Sequence, residues 1–136
     1  MEPILTRCGY RCDLCLAYRP NVEAHPENQQ KLSDGWFKYF GFRVKPEHIL
    51  CDGCLFEGEI STQMDAACPV RLCVKARGLE NCAACGEYIC EKLKERVVRY
   101  EDFTAKFGSE IPADDRADFI APYENFERLE ALRKKA

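Results

Sequence analysis

Cysteine is the residue type in this 136-residue sequence whose number and spacing indicate chemistry. All ten cysteines lie between Cys8 and Cys90, in close pairs and triplets, and residues 91–136 have none. Zinc sites and iron–sulfur clusters both need about four thiolates at one point, and closely spaced cysteines can supply them. The pattern therefore predicts a soft-metal site in the cysteine-rich part of the chain.

The strongest metal signal is a pair of C-x-x-C motifs, Cys51–Cys54 and Cys82–Cys85. Two ligands this close in sequence can bind one ion when the backbone between or after them turns sharply, and Gly53 and Gly86 permit such turns. Each motif is then half of a site, and the two together complete a tetrahedral four-cysteine centre. The 27 intervening residues exceed the usual zinc-ribbon spacing, and an inserted helix accounts for the length.

A further group has the spacing C-x₃-C-x₂-C and consists of Cys8, Cys12 and Cys15. It offers three thiolates and needs a fourth ligand, for which the candidates are Cys68, Cys73 and Cys90. His48, three residues before Cys51, is an alternative ligand, although a plain loop histidine is the more common case. Two four-thiolate sites would leave two cysteines over, either as reduced core thiols or as bridging ligands, and the sequence does not say which two.

Several enzyme classes fit this sequence poorly. The C-x₃-C-x₂-C spacing also holds the catalytic cluster of radical S-adenosylmethionine enzymes, but no βα repeat follows it and the chain is short for a barrel. A redox dithiol would need a strand before the C-x-x-C motif, and no strand is indicated. The sequence shows no serine–histidine–carboxylate grouping and no glycine-rich phosphate loop. We therefore predict no catalytic residue.

Metal binding is a better interpretation of the cysteines than disulfides. The N-terminal sequence MEPILTRCGYRCD lacks the apolar run of a secretory signal, and no apolar stretch approaches the roughly 20 residues that a membrane span needs. These features predict a cytoplasmic protein with reduced thiols and no membrane association. The formal net charge is −3, and eight thiolates holding two divalent ions would bring it to about −7, which disfavours nucleic acid as a partner.

Hydrophobic periodicity predicts a mainly α-helical protein. Helices are expected over residues 14–18, 26–40, 69–77, 88–107 and 122–134, with residues 41–67 irregular and no strand of real length. Asp13 is expected to cap the first helix, and Leu32, Trp36 and Phe40 to form the buried stripe of the second. The predicted fold is a single domain, 1–136: small, irregular and metal-stapled, with cysteine knuckles and two C-terminal helices.

The sequence resembles a known family in four places: CGYRCDLCLAY, CDGC, CPVRLCVKARGLENCAACGEYICEKL and PYENFERLEALRK. The family is the small cysteine-rich bacterial and archaeal domain of unknown function numbered thirty-seven ninety-five, and the resemblance covers nearly the whole chain. It implies cytosolic location and soft-metal ligands at all ten cysteines: Cys8, Cys12, Cys15, Cys51, Cys54, Cys68, Cys73, Cys82, Cys85 and Cys90. It supplies no catalytic residue, and the many family members from anaerobes favour iron–sulfur chemistry.

The sequence therefore predicts two alternative functions. The first is a metal-binding protein with cysteine-ligated structural zinc, acting as an adaptor for a protein partner that the sequence does not name. The second is a protein with a [4Fe–4S] cluster in redox chemistry or electron transfer. Cys68 is followed by Pro69, as are some cluster ligands of ferredoxins, which is a weak sign of the second. The sequence indicates no oligomeric state.

Overall fold

The computed structural model describes residues 3–56 and 68–135 and is mainly helical. These residues contain seven α-helices: α1 Arg19–Ala24, α2 Asn28–Phe40, α3 Pro69–Ala76, α4 Glu91–Lys94, α5 Tyr100–Phe107, α6 Ala113–Asp115 and α7 Asn125–Lys135. A π-helical turn, Arg116–Ile120, and a 3-10 turn, Ala121–Tyr123, carry the chain from α6 towards α7. None of the helices in the described ranges combines the length and apolar character needed to cross a membrane.

Within residues 3–56 and 68–135, the buried side chains form two separate hydrophobic clusters, which we call core 1 and core 2. Core 1 surrounds the buried face of α2, and its buried members are Ala17, Leu32, Trp36, Tyr39, Ile49, Cys51, Ile111, Phe119 and Ile120. Core 2 lies between α3 and α7, and its buried members are Cys8, Cys68, Val70, Val74, Cys82, Leu93 and Leu129. Cysteines are thus part of both cores, and they make up a larger share of core 2.

The predictions for α2, α3 and α7 are confirmed, with small shifts of their ends. Helix α2 begins two residues later than predicted, at Asn28, and places Leu32 and Trp36 in core 1. Helix α3 begins at Pro69, where a missing backbone N–H costs no hydrogen bond. The C-terminal helix begins at Asn125 instead of Pro122, because Pro122 belongs to the preceding 3-10 turn.

The long helix predicted over residues 88–107 is wrong. The structure has two short helices there, α4 and α5, separated by residues 95–99. The backbone of this break is held by side chains from elsewhere in the chain: Tyr10 Oη and Asn125 Nδ2 donate to the carbonyl of Arg96, and the N–H of Val98 donates to Asn125 Oδ1. These bonds replace the intrahelical ones that the same groups would otherwise make.

The predicted helix over residues 14–18 is also wrong. Asp13 does not cap a helix there, because its carboxylate accepts the N–H of Ile4 at 2.8 Å and binds the guanidinium of Arg11. This ion pair holds the pKa of Asp13 down at about 2. The chain forms only a 3-10 turn, Cys12–Leu14, and the α-helix begins at Arg19, where a helix end was expected.

Strand pairing in the described residues is limited to two isolated bridges, an antiparallel one between Leu5 and Arg11 and a parallel one between Tyr18 and Cys51. The mainly α-helical prediction is therefore confirmed, and metal stapling remains a prediction. Of the segment 41–67 that was predicted to be irregular, residues 57–67 lie outside the described part of the chain.

Candidate metal centre

Four cysteines from two distant segments lie together, and we call them the first cysteine group: Cys12, Cys15, Cys51 and Cys54. The two segments are joined by the bridge between Tyr18 and Cys51, in which the N–H of Arg19 donates to the carbonyl of Cys51 at 2.7 Å. The N–H of Cys54 then donates to Cys12 Sγ at 3.3 Å, and the Cys12 thiol is hydrogen-bonded to the side chain of Cys54. The group is thus assembled across 42 positions of sequence.

The turn after Cys51 has the form of a metal knuckle. The N–H of Gly53 donates to Cys51 Sγ at 3.4 Å, and Gly53 has a φ of +99°, in the region that favours glycine. A Cβ atom at this position would lie 3.2 Å from the ring of Tyr18. Backbone donors aimed at sulfur favour the thiolate form, which is the form that binds metal.

The remaining C-x-x-C motif belongs to a second cysteine group: Cys73, Cys82, Cys85 and Cys90. Cys73 lies on α3, Cys82 begins a 3-10 turn, Cys82–Ala84, and Cys90 directly precedes α4. All four line one small cavity of about 10 Å³, roughly the space for a single water-sized particle. Cys73, Cys85 and Cys90 are electrostatic neighbours of the Cys82 thiol, and so is Cys8 from outside the group.

The turn that carries Cys82 and Cys85 is built in the same way as the turn at Cys51. Asn81 caps it by accepting the N–H of Ala83 at 2.9 Å, and the N–H of Cys85 donates to the carbonyl of Cys82 at 3.1 Å. The N–H of Glu87 then donates to Cys85 Sγ at 3.4 Å. Each group therefore contains a sulfur that accepts a hydrogen bond from the backbone N–H two residues later.

Two cysteines, Cys8 and Cys68, fall outside both groups and are buried in core 2. The Cys8 thiol lies 3.5 Å from Thr6 Oγ1, and it has Cys54 and Cys68 among its electrostatic neighbours. It is also a neighbour of Cys82. Cys8 therefore lies between the first and second groups, and Cys8 and Cys68 line the same cavity as the first group.

Burial controls the acidity of these thiols. It raises the pKa of Cys8 and of Cys15 to about 11 and the pKa of Cys82 to about 12. The pKa of Cys12 is also raised, first through its hydrogen bond with Cys54 and then through burial. Without a compensating cation these thiols stay protonated at neutral pH, and a bound cation would reverse the effect by supplying positive charge.

Several side chains from outside the motifs surround the first group. Tyr123 Oη lies 3.0 Å from Cys15 Sγ, and burial raises the pKa of Tyr123 well above its ordinary value. The guanidinium groups of Arg7 and Arg71 both donate to the carbonyl of Cys54, at 2.9 and 3.2 Å. Sequence analysis missed all three residues, because nothing local marks them as neighbours of the cysteines.

The second group also has arginine neighbours. Arg77 Nη1 lies 3.7 Å from Cys85 Sγ, and the guanidinium of Arg77 forms an ion pair with Glu87. Arg133 on α7 donates to the carbonyls of Ala83 and Cys85, both at 3.1 Å. Positive charge therefore lies near both cysteine groups, as expected where thiolates are to be stabilised.

The predicted pairing of Cys51 and Cys54 with Cys82 and Cys85 is not the arrangement in this structure. The two motifs line different cavities, and each has other cysteines as its neighbours. The physical reason is the Tyr18–Cys51 bridge, which holds the Cys51 motif beside the N-terminal cysteines. The two histidines, His25 and His48, are exposed.

The cysteines do not adopt the geometry of a loaded metal site. In residues 3–56 and 68–135, no three histidine, cysteine, aspartate or glutamate side chains are arranged so that they could hold a metal ion. All ten cysteines are free thiols. The donor sets nevertheless fit a soft metal chemically, because each group consists of four thiols and of no harder donor.

A cavity of about 590 Å³ opens beside the first group. Six cysteines contribute to its lining: Cys8, Cys12, Cys15, Cys51, Cys54 and Cys68. The rest of the lining is rich in aromatic side chains, including Trp36, Phe40 and Tyr123. Tyr123 connects the two parts, since its hydroxyl contacts Cys15 and its ring contacts those of Trp36 and Phe40.

Comparison with known protein families places most of this chain in one of them. The model of the family described as "Protein of unknown function (DUF3795)" matches residues 4–95, a range that includes all ten cysteines. The match ends before residues 122–134, which the sequence analysis had included in the resemblance, and so before Tyr123. No curated protein and no solved structure matches the chain. Because the match covers well over half of the sequence, the chain belongs to the DUF3795 family.

Proposed function

We propose that this protein binds soft metal at two cysteine centres. The first centre would use Cys12, Cys15, Cys51 and Cys54, and the second would use Cys73, Cys82, Cys85 and Cys90. The observation that carries the proposal is that the thiols gather at two cavities, each with a cysteine sulfur that accepts a backbone N–H. Free thiols at all ten positions are the state that metal binding in a reducing cytoplasm requires.

Structural zinc is the function that the second group supports best. Its cavity of about 10 Å³ has room for a single ion, and its turn is the kind that carries two zinc ligands. Three of the seven buried residues of core 2 are cysteines, so the apolar packing around this group is limited. A tetrahedral zinc would cross-link α3, the Cys82–Ala84 turn and the start of α4.

An iron–sulfur cluster is the second candidate, and one observation favours it at the first group only. The cavity of about 590 Å³ beside these sulfurs is far larger than a single ion needs. Its aromatic lining would shield a cluster from water, one of the factors that tune cluster potential. The protein would then combine structural zinc at the second centre with a redox centre at the first.

The metal and sulfide content of protein purified without oxygen tests these alternatives. Zinc is colourless, whereas an iron–sulfur cluster absorbs broadly in the visible range. Two zinc ions and no sulfide support structural zinc at both centres. One zinc together with iron and inorganic sulfide supports the combined form. Folded protein that contains neither metal contradicts metal binding altogether.

Serine substitutions test the grouping. We expect Cys54→Ser to release the metal of the first centre and Cys85→Ser to release that of the second. The double variant Cys12→Ser/Cys54→Ser should lose no more metal than Cys54→Ser alone, whereas Cys54→Ser/Cys85→Ser should lose both. Cys68→Ser is the matched control and should keep both. If Cys54→Ser/Cys85→Ser loses only one centre, the two motifs share an ion and the proposed grouping is wrong.

A further inference from the structure

Aromatic side chains in contact with each other form one face of the 590 Å³ cavity. The ring of Tyr123 contacts those of Phe40 and Trp36, with centroid distances of 5.8 Å and 6.4 Å. Phe42 extends the group towards solvent, because it contacts Trp36 at 5.4 Å and is 47% exposed. Phe103 adds another edge-on contact, with Phe40, at 5.3 Å. All five residues line the cavity, so one face of it is a continuous aromatic wall.

The size and lining of the cavity are those of a small-molecule site. Such sites have volumes of roughly 300–1,000 Å³ and are lined mainly by apolar and aromatic groups. A cavity of about 590 Å³ lies within that range, and it is accessible from solvent at Phe42. The much smaller cavity at the second cysteine group has no comparable room.

The polar groups of the lining indicate the chemistry of the ligand. The hydroxyl of Tyr10 is committed to the carbonyl of Arg96 at 2.8 Å, and the hydroxyl of Tyr123 to Cys15 Sγ at 3.0 Å. The lining also contains charged side chains: Arg11, Arg71, Glu95, Arg96, Arg99 and Asp102. The guanidinium of Arg11 is held by both carboxylate oxygens of Asp13, and that of Arg71 donates to the carbonyl of Cys54. The aromatic wall itself presents ring faces and edges, which bind planar groups by stacking and by burial.

We infer that this cavity is a binding site for a planar aromatic molecule, held against Trp36, Phe40 and Phe42. The ligand lies over the sulfurs of the first cysteine group, and Tyr123 lies between the ligand and these sulfurs. The inference goes beyond the proposed metal centres, because the aromatic wall contains no metal ligand. Metal content and ligand binding are separate measurements, so one proposal can fail without the other.

The test is a titration of the protein, purified without oxygen and with its metal content intact, with the uncharged fluorescent probe N-phenylnaphthylamine. Trp36 is the single tryptophan of the chain, so a probe bound in the cavity should quench its emission as the probe's own fluorescence rises. We expect saturable binding of one probe per protein.

Two exposed phenylalanines provide a matched pair of variants. Phe42 lines the cavity, whereas Phe37, which is 53% exposed, does not. Loss of one aromatic contact should weaken probe binding roughly three- to tenfold in Phe42→Ala, and Phe37→Ala should bind as the unsubstituted protein does. Val44→Trp, which places a larger side chain in the lining, should reduce binding further.

Two results would overturn the inference. One is the absence of saturable binding by the probe. The other is equal weakening in Phe42→Ala and Phe37→Ala, which would mean that the probe binds the surface. Because Phe42 is half-exposed, its substitution leaves the cores filled, and the comparison with Phe37→Ala does not depend on whether Val44→Trp folds.

Discussion

The side-chain amide of Asn125 donates to the carbonyl of Cys8 at 2.7 Å, although 117 positions of sequence separate the two residues. Asn125 is fully buried, and it also donates to the carbonyl of Arg96 and accepts the N–H of Val98. One side chain thus satisfies backbone groups of the N-terminal cysteine loop and of the break between α4 and α5. Asn125 therefore connects the beginning of α7 to the N-terminal cysteine loop and to the break between α4 and α5.

Replacement of Asn125 by alanine should destabilise the protein strongly. Two backbone groups, the carbonyl of Cys8 and the N–H of Val98, would lose their partner, while the carbonyl of Arg96 would keep Tyr10 Oη. The free energy of unfolding should therefore fall on the order of 2–3 kcal/mol. Asn28→Ala is the matched control, because Asn28 is also buried but its side chain donates one bond, to the carbonyl of Asn21 at 3.2 Å, and its loss should cost about 1 kcal/mol. The measurement is denaturant unfolding of both variants. Equal losses would show that Asn125 is not the connection described here.

Gly9 lies directly against the same helix. It has a φ of +92°, and a Cβ atom there would lie 2.9 Å from Asn125 Cβ and 3.0 Å from Leu129 Cγ. Gly9→Ala should therefore suffer both backbone strain and a clash. Gly108 has a φ of +71°, and no atom lies within 4 Å of a Cβ placed there. Gly108→Ala therefore measures the cost of backbone strain without a clash.

We expect Gly108→Ala to cost about 1–2 kcal/mol of unfolding free energy, and Gly9→Ala to cost at least about 1 kcal/mol more. Thermal or denaturant unfolding of the two variants side by side gives the difference. If Gly9→Ala is no worse than Gly108→Ala, the N-terminal loop and α7 are not packed as closely as the structure has them.

Tyr123→Phe should weaken the first metal centre and leave the second unchanged. The change removes the hydroxyl that lies 3.0 Å from Cys15 Sγ and keeps the ring that packs on Trp36. Loss of such a neighbour of a metal ligand typically lowers metal affinity by roughly 10–100-fold. Tyr10→Phe is the control, since the hydroxyl of Tyr10 bonds to the carbonyl of Arg96 and not to a sulfur.

The measurement for Tyr123→Phe is the rate and extent of metal extraction by a competing chelator. In Tyr123→Phe, the half of the metal that belongs to the first centre should be extracted more easily than in the unsubstituted protein. In Tyr10→Phe, the metal of both centres should be extracted as in the unsubstituted protein. Equal extraction in the two variants would mean that the contact with Cys15 has no influence on the metal.

Local sequence signals explain which helices could be predicted. Helix α2 carries its apolar stripe, Leu32 and Trp36, within its own sequence, and Pro69 marks the first residue of α3. The break between α4 and α5 has no such signal. It depends on Tyr10 and Asn125, which lie 86 and 29 positions away from Arg96 along the chain. Apolar spacing alone therefore predicted one continuous helix.

The same distinction holds for the cysteines. Their spacing predicted soft-metal chemistry and knuckle turns, and it is a local property of the sequence. Their grouping depends on the bridge between Tyr18 and Cys51, which is a tertiary contact. The role of Tyr123 beside Cys15 depends on a contact across 108 positions. Neither can be derived from the order of residues along the chain.

Metal removal should affect the two cores differently. Among the described residues, cysteines make up three of the seven buried members of core 2 but one of the nine of core 1, which also contains Trp36, Tyr39 and Phe119. Ordering the chain costs about 1–2 kcal/mol per residue in backbone entropy, and a structural zinc can contribute roughly 10–16 kcal/mol. We therefore expect core 2 to depend on metal and core 1 to be stabilised by its own apolar burial.

The measurement is amide hydrogen exchange after chelation under reducing conditions. We expect α3 and the Cys82–Ala84 turn to lose protection first and α2 to keep it. Helix α7 should fall between them, because Leu129 packs in core 2 while Asn125 bonds to the loop of Cys8. If the chelator removes the metal and α3 remains as protected as α2, the metal of the second centre is not structural. The zinc interpretation would then fail there, and a metal that is carried or exchanged would explain the cysteines better.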